Sequence, residues 1–183
     1  MDGTLTVPIH DFEAIRAALG LPLGLPILES LLELPAAAAE EKRRRLSVIE
    51  LELARAAEAA PGAEALLAAL RRRGDRLGIL TRNSRANAGL TLETCGLAGY
   101  FPEADRVTRD DGPPKPAPAG IHLLLGRWDG RPDQAVMLGD FRFDLEAGRA
   151  AGCATVHVEA GGRFRWPELA DRCVRRLDEL LPL

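Results

Sequence analysis

Three short apolar runs decide what this chain can fold into. Arg76–Thr81, Gln134–Leu138 and Ala154–Val158 have strand length, and Arg106–Thr108 is a weaker candidate of the same kind. Helical patterns alternate with them: Ala63–Arg73, a helix capped by Ser84 and running to Cys95, Pro118–Trp128, Phe143–Ala151 and a terminal helix over Pro167–Leu181. Gly74, Gly96 and Gly152 are natural stops, and Arg71, Arg72 and Arg73 suit the negative end of a helix dipole. Strands alternating with helices across short loops predict an α/β fold, a Rossmann-like parallel sheet with helices on both faces.

Residues 8–60 have a different texture, with no strand signal. Asp11 can cap a helix ending at Leu19–Gly20, Ile27–Leu34 is a short apolar helix closed by Pro35, and Ala36–Ala60 is rich in Ala, Leu, Glu and Arg. Leu46, Ile49, Leu53 and Ala57 follow the spacing of a buried helical stripe. The run Glu40–Arg45, which holds Lys42, reads as a solvated face. The expected division is therefore an α/β core over 1–7 and 61–183, interrupted by an all-helical insertion over 8–60.

Composition excludes several partners. A formal net charge of −3 gives no reason to expect nucleic acid, and no apolar run approaches a membrane span. Cys95, Cys153 and Cys173 are odd in number and widely spaced, which suits a reducing, cytoplasmic setting. The chain is expected to be a monomer or weak homodimer.

In an open parallel sheet, ligands bind beyond the carboxyl ends of the strands. At those ends stand Thr81-Arg82-Asn83-Ser84, the loop Gly112–Pro116 containing Lys115, and Gly139-Asp140 through Asp144; Asp2-Gly3-Thr4 opens the chain. Phosphoryl transfer through an aspartyl-phosphate needs these types together. A carboxylate attacks phosphorus, and a second acid protonates the leaving oxygen and then activates water. Mg²⁺ takes oxygen ligands, a lysine offsets phosphate charge, and hydroxyls with helix-start N–H groups hold the phosphate. His10, His122 and His157 lie outside these strand ends and read as structural.

The four stretches resemble, in order, the four motifs of the haloacid dehalogenase (HAD) phosphohydrolases. Gly139 to Gly152 is very similar to the fourth motif and helix of the phosphoglycolate-phosphatase-like branch. The resemblance implies a Mg²⁺-dependent phosphatase of a small phosphorylated metabolite, with a helical cap over 8–60. It implies Asp2 as general acid/base and backbone ligand of Mg²⁺, Thr81 and the Arg82 backbone as phosphate binders, and Lys115 as the neutralising lysine. Asp140 is then a Mg²⁺ ligand, and Asp144 acts on the metal through water or on Lys115. A sugar phosphomutase and a non-catalytic phosphate- or partner-binding module are the alternatives. Dehalogenase chemistry needs neither Asp140 nor Asp144.

Met1 falls on the middle position of the first motif, so the family's nucleophilic Asp falls one residue ahead of it, with its strand. That strand lies centrally in the family, between those of the second and fourth motifs, so a break in the sheet is expected there. Four buried aliphatic side chains contribute roughly 6–12 kcal/mol, against a total domain stability of ~5–15 kcal/mol. The expectation is therefore a true start upstream and, for a chain begun at Met1, an inactive and marginally folded protein.

Overall fold

The computed structural model describes residues 1–181. Five strands pair in parallel, in two sheets. β1 (Ile79–Leu80) pairs with β2 (Arg106–Val107); β3 (Val136–Gly139), β4 (Ala154–Val158) and β5 (Arg172–Val174) form the other sheet in that order. No ladder joins β1 to β3 among the described residues, which is the break expected between the second- and fourth-motif strands.

Residues 8–60 are helical in three pieces: α1 (Phe12–Leu19), α2 (Ile27–Leu32) and α3 (Ala36–Arg55). Asp11 accepts the Ala14 N–H at 2.9 Å and Gly20 closes α1, as its sequence position implies. Ile15, Leu19, Leu31 and Leu46 form a core of their own. Lys42 is not merely solvated; its ammonium donates to the Leu19 carbonyl at 2.5 Å and so satisfies an orphan acceptor at the end of α1.

Period-two alternation sorts the core of the α/β part onto two faces. Ile79, Leu138, Val156 and Val158 face one cluster, with Leu66 and Leu67 of α4 (Ala63–Arg73) and Leu92 of α5 (Arg85–Thr94). Leu80 and Met137, their strand neighbours, face the other, with Ile121 and Leu125 of α6 (Ala119–Trp128) and Ala147 of α7 (Arg142–Ala151). Buried Met1 belongs to the first cluster, so hydrophobic contact links the two sheets where hydrogen bonds do not. Ser84 caps α5 by accepting the Asn87 N–H, and Gly74 and Gly152 close α4 and α7 in the left-handed conformation that lets glycine end a helix.

The larger departures from the sequence reading are the end of α3 and the C-terminal segment. α3 ends at Arg55 rather than Ala60, and the chain beyond it lies along residues 5–7, with Val7 N–H on the Glu58 carbonyl and Ala60 N–H on the Leu5 carbonyl. Pro61 disfavours helix in the residue before it, and this pairing ties the two ends of the helical segment together. The expected terminal helix over Pro167–Leu181 is absent. Short 3₁₀ turns at Pro167–Leu169 and Leu177–Leu180 flank β5, whose pairing with β4 overrides local helix propensity.

Candidate active site

Asp2, Thr81, Arg82, Lys115, Asp140 and Asp144, far apart in sequence, line one cavity of about 370 Å³ at the strand ends. Its other wall belongs to the helical segment, including Phe12, Ile15, Leu25 and Leu46.

The first turn is built around the Met1 carbonyl, which accepts the N–H groups of Thr4, Leu5 and Thr6 at 3.2, 2.8 and 3.3 Å. This turn aims Asp2 at the loop after β1, where the Asn83 amide donates to its carboxylate at 2.6 Å. The Thr4 hydroxyl donates to Asp140 at 2.9 Å, joining the start of the chain to the end of β3. Gly3 makes that approach possible, since a Cβ on it would lie 2.4 Å from an Asp140 carboxylate oxygen.

After β1, the buried Thr81 accepts the Asn83 N–H on its hydroxyl at 3.1 Å. The Arg82 side chain is committed to protein partners. It donates to the Lys115 carbonyl and to both Glu29 oxygens, each at 2.6 Å, and lies over the Phe143 ring at 5.0 Å. The family resemblance implies phosphate binding through its backbone, which these side-chain contacts leave uninvolved.

Lys115 is buried. Its ammonium donates to the Leu80 carbonyl at 2.9 Å and forms a short ion pair with Asp144. Asp144 also accepts the Phe141 N–H at 3.0 Å, which fixes its carboxylate at the start of α7. Burial, the largest influence, pushes the Asp144 carboxyl up, but Lys115, the chain-terminal ammonium and the Phe141 N–H together outweigh it and hold the group below the ordinary carboxylate range. Asp140 goes the other way: burial, then the nearby Asp144 charge, raise it, and neither the Met1 ammonium nor the Thr4 hydroxyl offsets them. Two adjacent carboxylates thus have opposite shifts, and Asp140 is the one left short of positive charge.

Sequence reasoning gave no role to Asn83 or Thr4, and it read His157 as structural. Asn83 carried a signal, since it directly follows Thr81-Arg82. His157 did not. It lies fully buried in β4, with Nε2 3.3 Å from the Asp140 carbonyl and its ring against Phe164 and Trp166. His10 lines the cavity, and His122 is exposed on α6.

Residues 1–152 match the family model of haloacid dehalogenase-like hydrolases. The chain belongs to that family, and its relatives place it in the phosphoglycolate-phosphatase-like branch. It is 31% identical over 194 residues to the uncharacterized hydrolase YOR131C of Saccharomyces cerevisiae, a match covering 100% of this chain and 87% of that protein. It is 41% identical over 102 residues to the phosphoglycolate phosphatase of Rhodospirillum rubrum, covering 55% of this chain and 42% of that one. A hydrolase structure from Pseudomonas syringae superposes with a TM-score of 0.79 at 24% identity, covering 98% of this chain and 92% of that one. The likeness in structure supports the fold. No helix among the described residues is long and apolar enough to cross a membrane.

Proposed function

We propose that this hydrolase is a Mg²⁺-dependent phosphatase acting on a small phosphomonoester through an aspartyl-phosphate, in the cytoplasm, as a monomer or weak dimer. The carrying observation is the convergence of Asp2, Thr81, Lys115, Asp140 and Asp144 on one cavity, with Lys115 already paired to Asp144. Relatives named phosphoglycolate phosphatase and pyrophosphatase support the same class of reaction.

The residues present fit Mg²⁺. No group of three His, Cys, Asp or Glu side chains among the described residues converges into a cage. Mg²⁺ needs none, because it is held by one or two carboxylates, backbone carbonyls, water and the substrate phosphate. Asp140, whose ionised form lacks compensation, would hold it with the Asp2 carbonyl, and Asp144 would support it through water. The ion supplies charge that offsets carboxylate–phosphate repulsion.

The protein's own groups do the rest. Lys115 neutralises phosphate charge, while the Thr81 hydroxyl and the backbone at Arg82 hold phosphate oxygens. The attacking carboxylate is the residue that the resemblance places just before Met1. Its oxygen forms a bond to phosphorus as the ester oxygen departs with a proton from Asp2. Asp2 then takes a proton from water, whose oxygen attacks phosphorus and regenerates the carboxylate. The helical segment acts as a cap that excludes water and selects the substrate.

The test compares the 183-residue chain with one extended upstream through an apolar strand ending in Asp. The extended form is expected to release phosphate from p-nitrophenyl phosphate in a Mg²⁺-dependent manner, and the shorter form is not. Metal-dependent turnover by the shorter form would count against the assigned nucleophile. Isomerised sugar phosphate without phosphate release would mark a mutase.

A further inference from the structure

The wall that the helical segment presents to the cavity is mostly apolar, and the carboxylates on and beside it are already committed. Glu50 gives both oxygens to Arg109 at 2.7 and 2.9 Å, and Glu29 gives both to Arg82 at 2.6 Å. Arg16 spends one guanidinium nitrogen on Glu13 at 2.6 Å. Among the described residues, the polar groups left on this wall are few: Arg16, whose buried Nε has no partner, and His10, whose Nδ1 has none and whose ring stacks on Phe12 at 5.6 Å.

Around these stand Phe12, Ile15, Leu25, Leu46, Phe141 and Phe143. Three of them are large apolar side chains left well exposed, Phe12 at 54%, Leu25 at 45% and Phe141 at 48%. Exposed apolar groups gathered at the mouth of a cavity mark a binding surface. The same cavity holds Lys115, Thr81 and Asp140, so a ligand whose phosphate lies among them can reach this wall.

We propose that the substrate is a phosphomonoester of a compact, apolar, ring-bearing alcohol rather than of a polyhydroxylated sugar. The inference rests on the phosphatase reading above and names its substrate class. An apolar wall rewards ring burial but offers hydroxyls few partners, and each hydroxyl buried without one lowers affinity by about ten-fold. The cavity volume, about 370 Å³, is within the range of small-molecule sites.

Calorimetric titration of the 183-residue chain in Mg²⁺ with methylphosphonate, benzylphosphonate and ribose 5-phosphate tests this without requiring turnover. Benzylphosphonate is expected to bind about ten-fold more tightly than methylphosphonate, and ribose 5-phosphate no more tightly than methylphosphonate. Replacing Phe12 and Leu25 together by Ser should remove the benzyl gain and leave methylphosphonate binding unchanged. Both are substantially exposed, so folding does not depend on them. If methylphosphonate binds and the ring adds nothing, or if ribose 5-phosphate binds best, the substrate class is wrong and the phosphate site stands. If no ligand binds, the phosphatase reading falls and the inference falls with it.

Discussion

Arg109 grips both carboxylate oxygens of Glu50, at 2.7 and 2.9 Å, and so fastens α3 to the loop that follows β2. The Arg109 N–H also donates to the Asn83 carbonyl at 3.1 Å, so the tie reaches the loop that follows β1. Both side chains are largely shielded, with 17% and 9% exposure. Removing one partner leaves the other charge buried and uncompensated. Glu50→Ala should therefore destabilise the chain by roughly 3 kcal/mol and speed amide exchange in α3. An unchanged urea midpoint would show that the tie contributes nothing.

Asp140 carries a stability cost that a cation should relieve. Its carboxyl is raised, so its contribution favours the folded state only while it is protonated. That contribution is lost as pH rises from the unfolded value through the folded one. Once ionised, the group is a liability. Asp140→Asn should raise the melting temperature without metal, keep the Thr4 hydrogen bond, and lose the rise expected of the native chain in Mg²⁺. A Mg²⁺-induced rise that survives in the mutant would remove Asp140 from the metal site.

Asp144 has the opposite sign. Its carboxyl is held low, so its stabilisation is complete above the ordinary carboxylate value and is lost as pH falls through the folded one. Acid unfolding of the native chain should steepen below about pH 4, and Asp144→Asn should flatten that limb. Lys115→Arg should also destabilise, by about 1–3 kcal/mol. A planar guanidinium cannot fit the buried space between the Leu80 carbonyl and Asp144. Equal urea midpoints for Lys115→Arg and the native chain would contradict the tight fit.

What the sequence made legible was local. β4 falls where its apolar run stands, and Asp11, Ser84, Gly20, Gly74 and Gly152 end their helices as their types require. Thr81, Lys115, Asp140 and Asp144 were readable because strand-end chemistry follows from chain order. β5 was not, because Arg172–Val174 is too short to show a period and gains its strand form only against β4. The ties of Glu29 to Arg82 and Glu50 to Arg109 were equally invisible. They join helix faces to loops distant in sequence, and a charge on a helix looks the same whether it meets water or a guanidinium. The approach of the His157 ring to the Asp140 carbonyl was hidden for a similar reason, since only the sheet brings the two together.

Gly3 offers a controlled test of how closely the first turn fits the proposed metal site. Its φ of +74° lies in the left-handed region, and a Cβ there would sit 2.4 Å from one Asp140 oxygen and 2.7 Å from its carboxyl carbon. Gly74 has a similar φ of +89°, but a Cβ on it would meet nothing within 4 Å. Gly74→Ala should thus cost only backbone strain, about 1–2 kcal/mol. Gly3→Ala should cost that and also push the Asp140 carboxylate aside, breaking its bond from Thr4. The expected result is a similar or larger loss of melting temperature for Gly3→Ala together with a weakened Mg²⁺-induced rise, whereas Gly74→Ala keeps the full rise. If both variants keep that rise in equal measure, the Gly3–Asp140 approach does not shape the metal site.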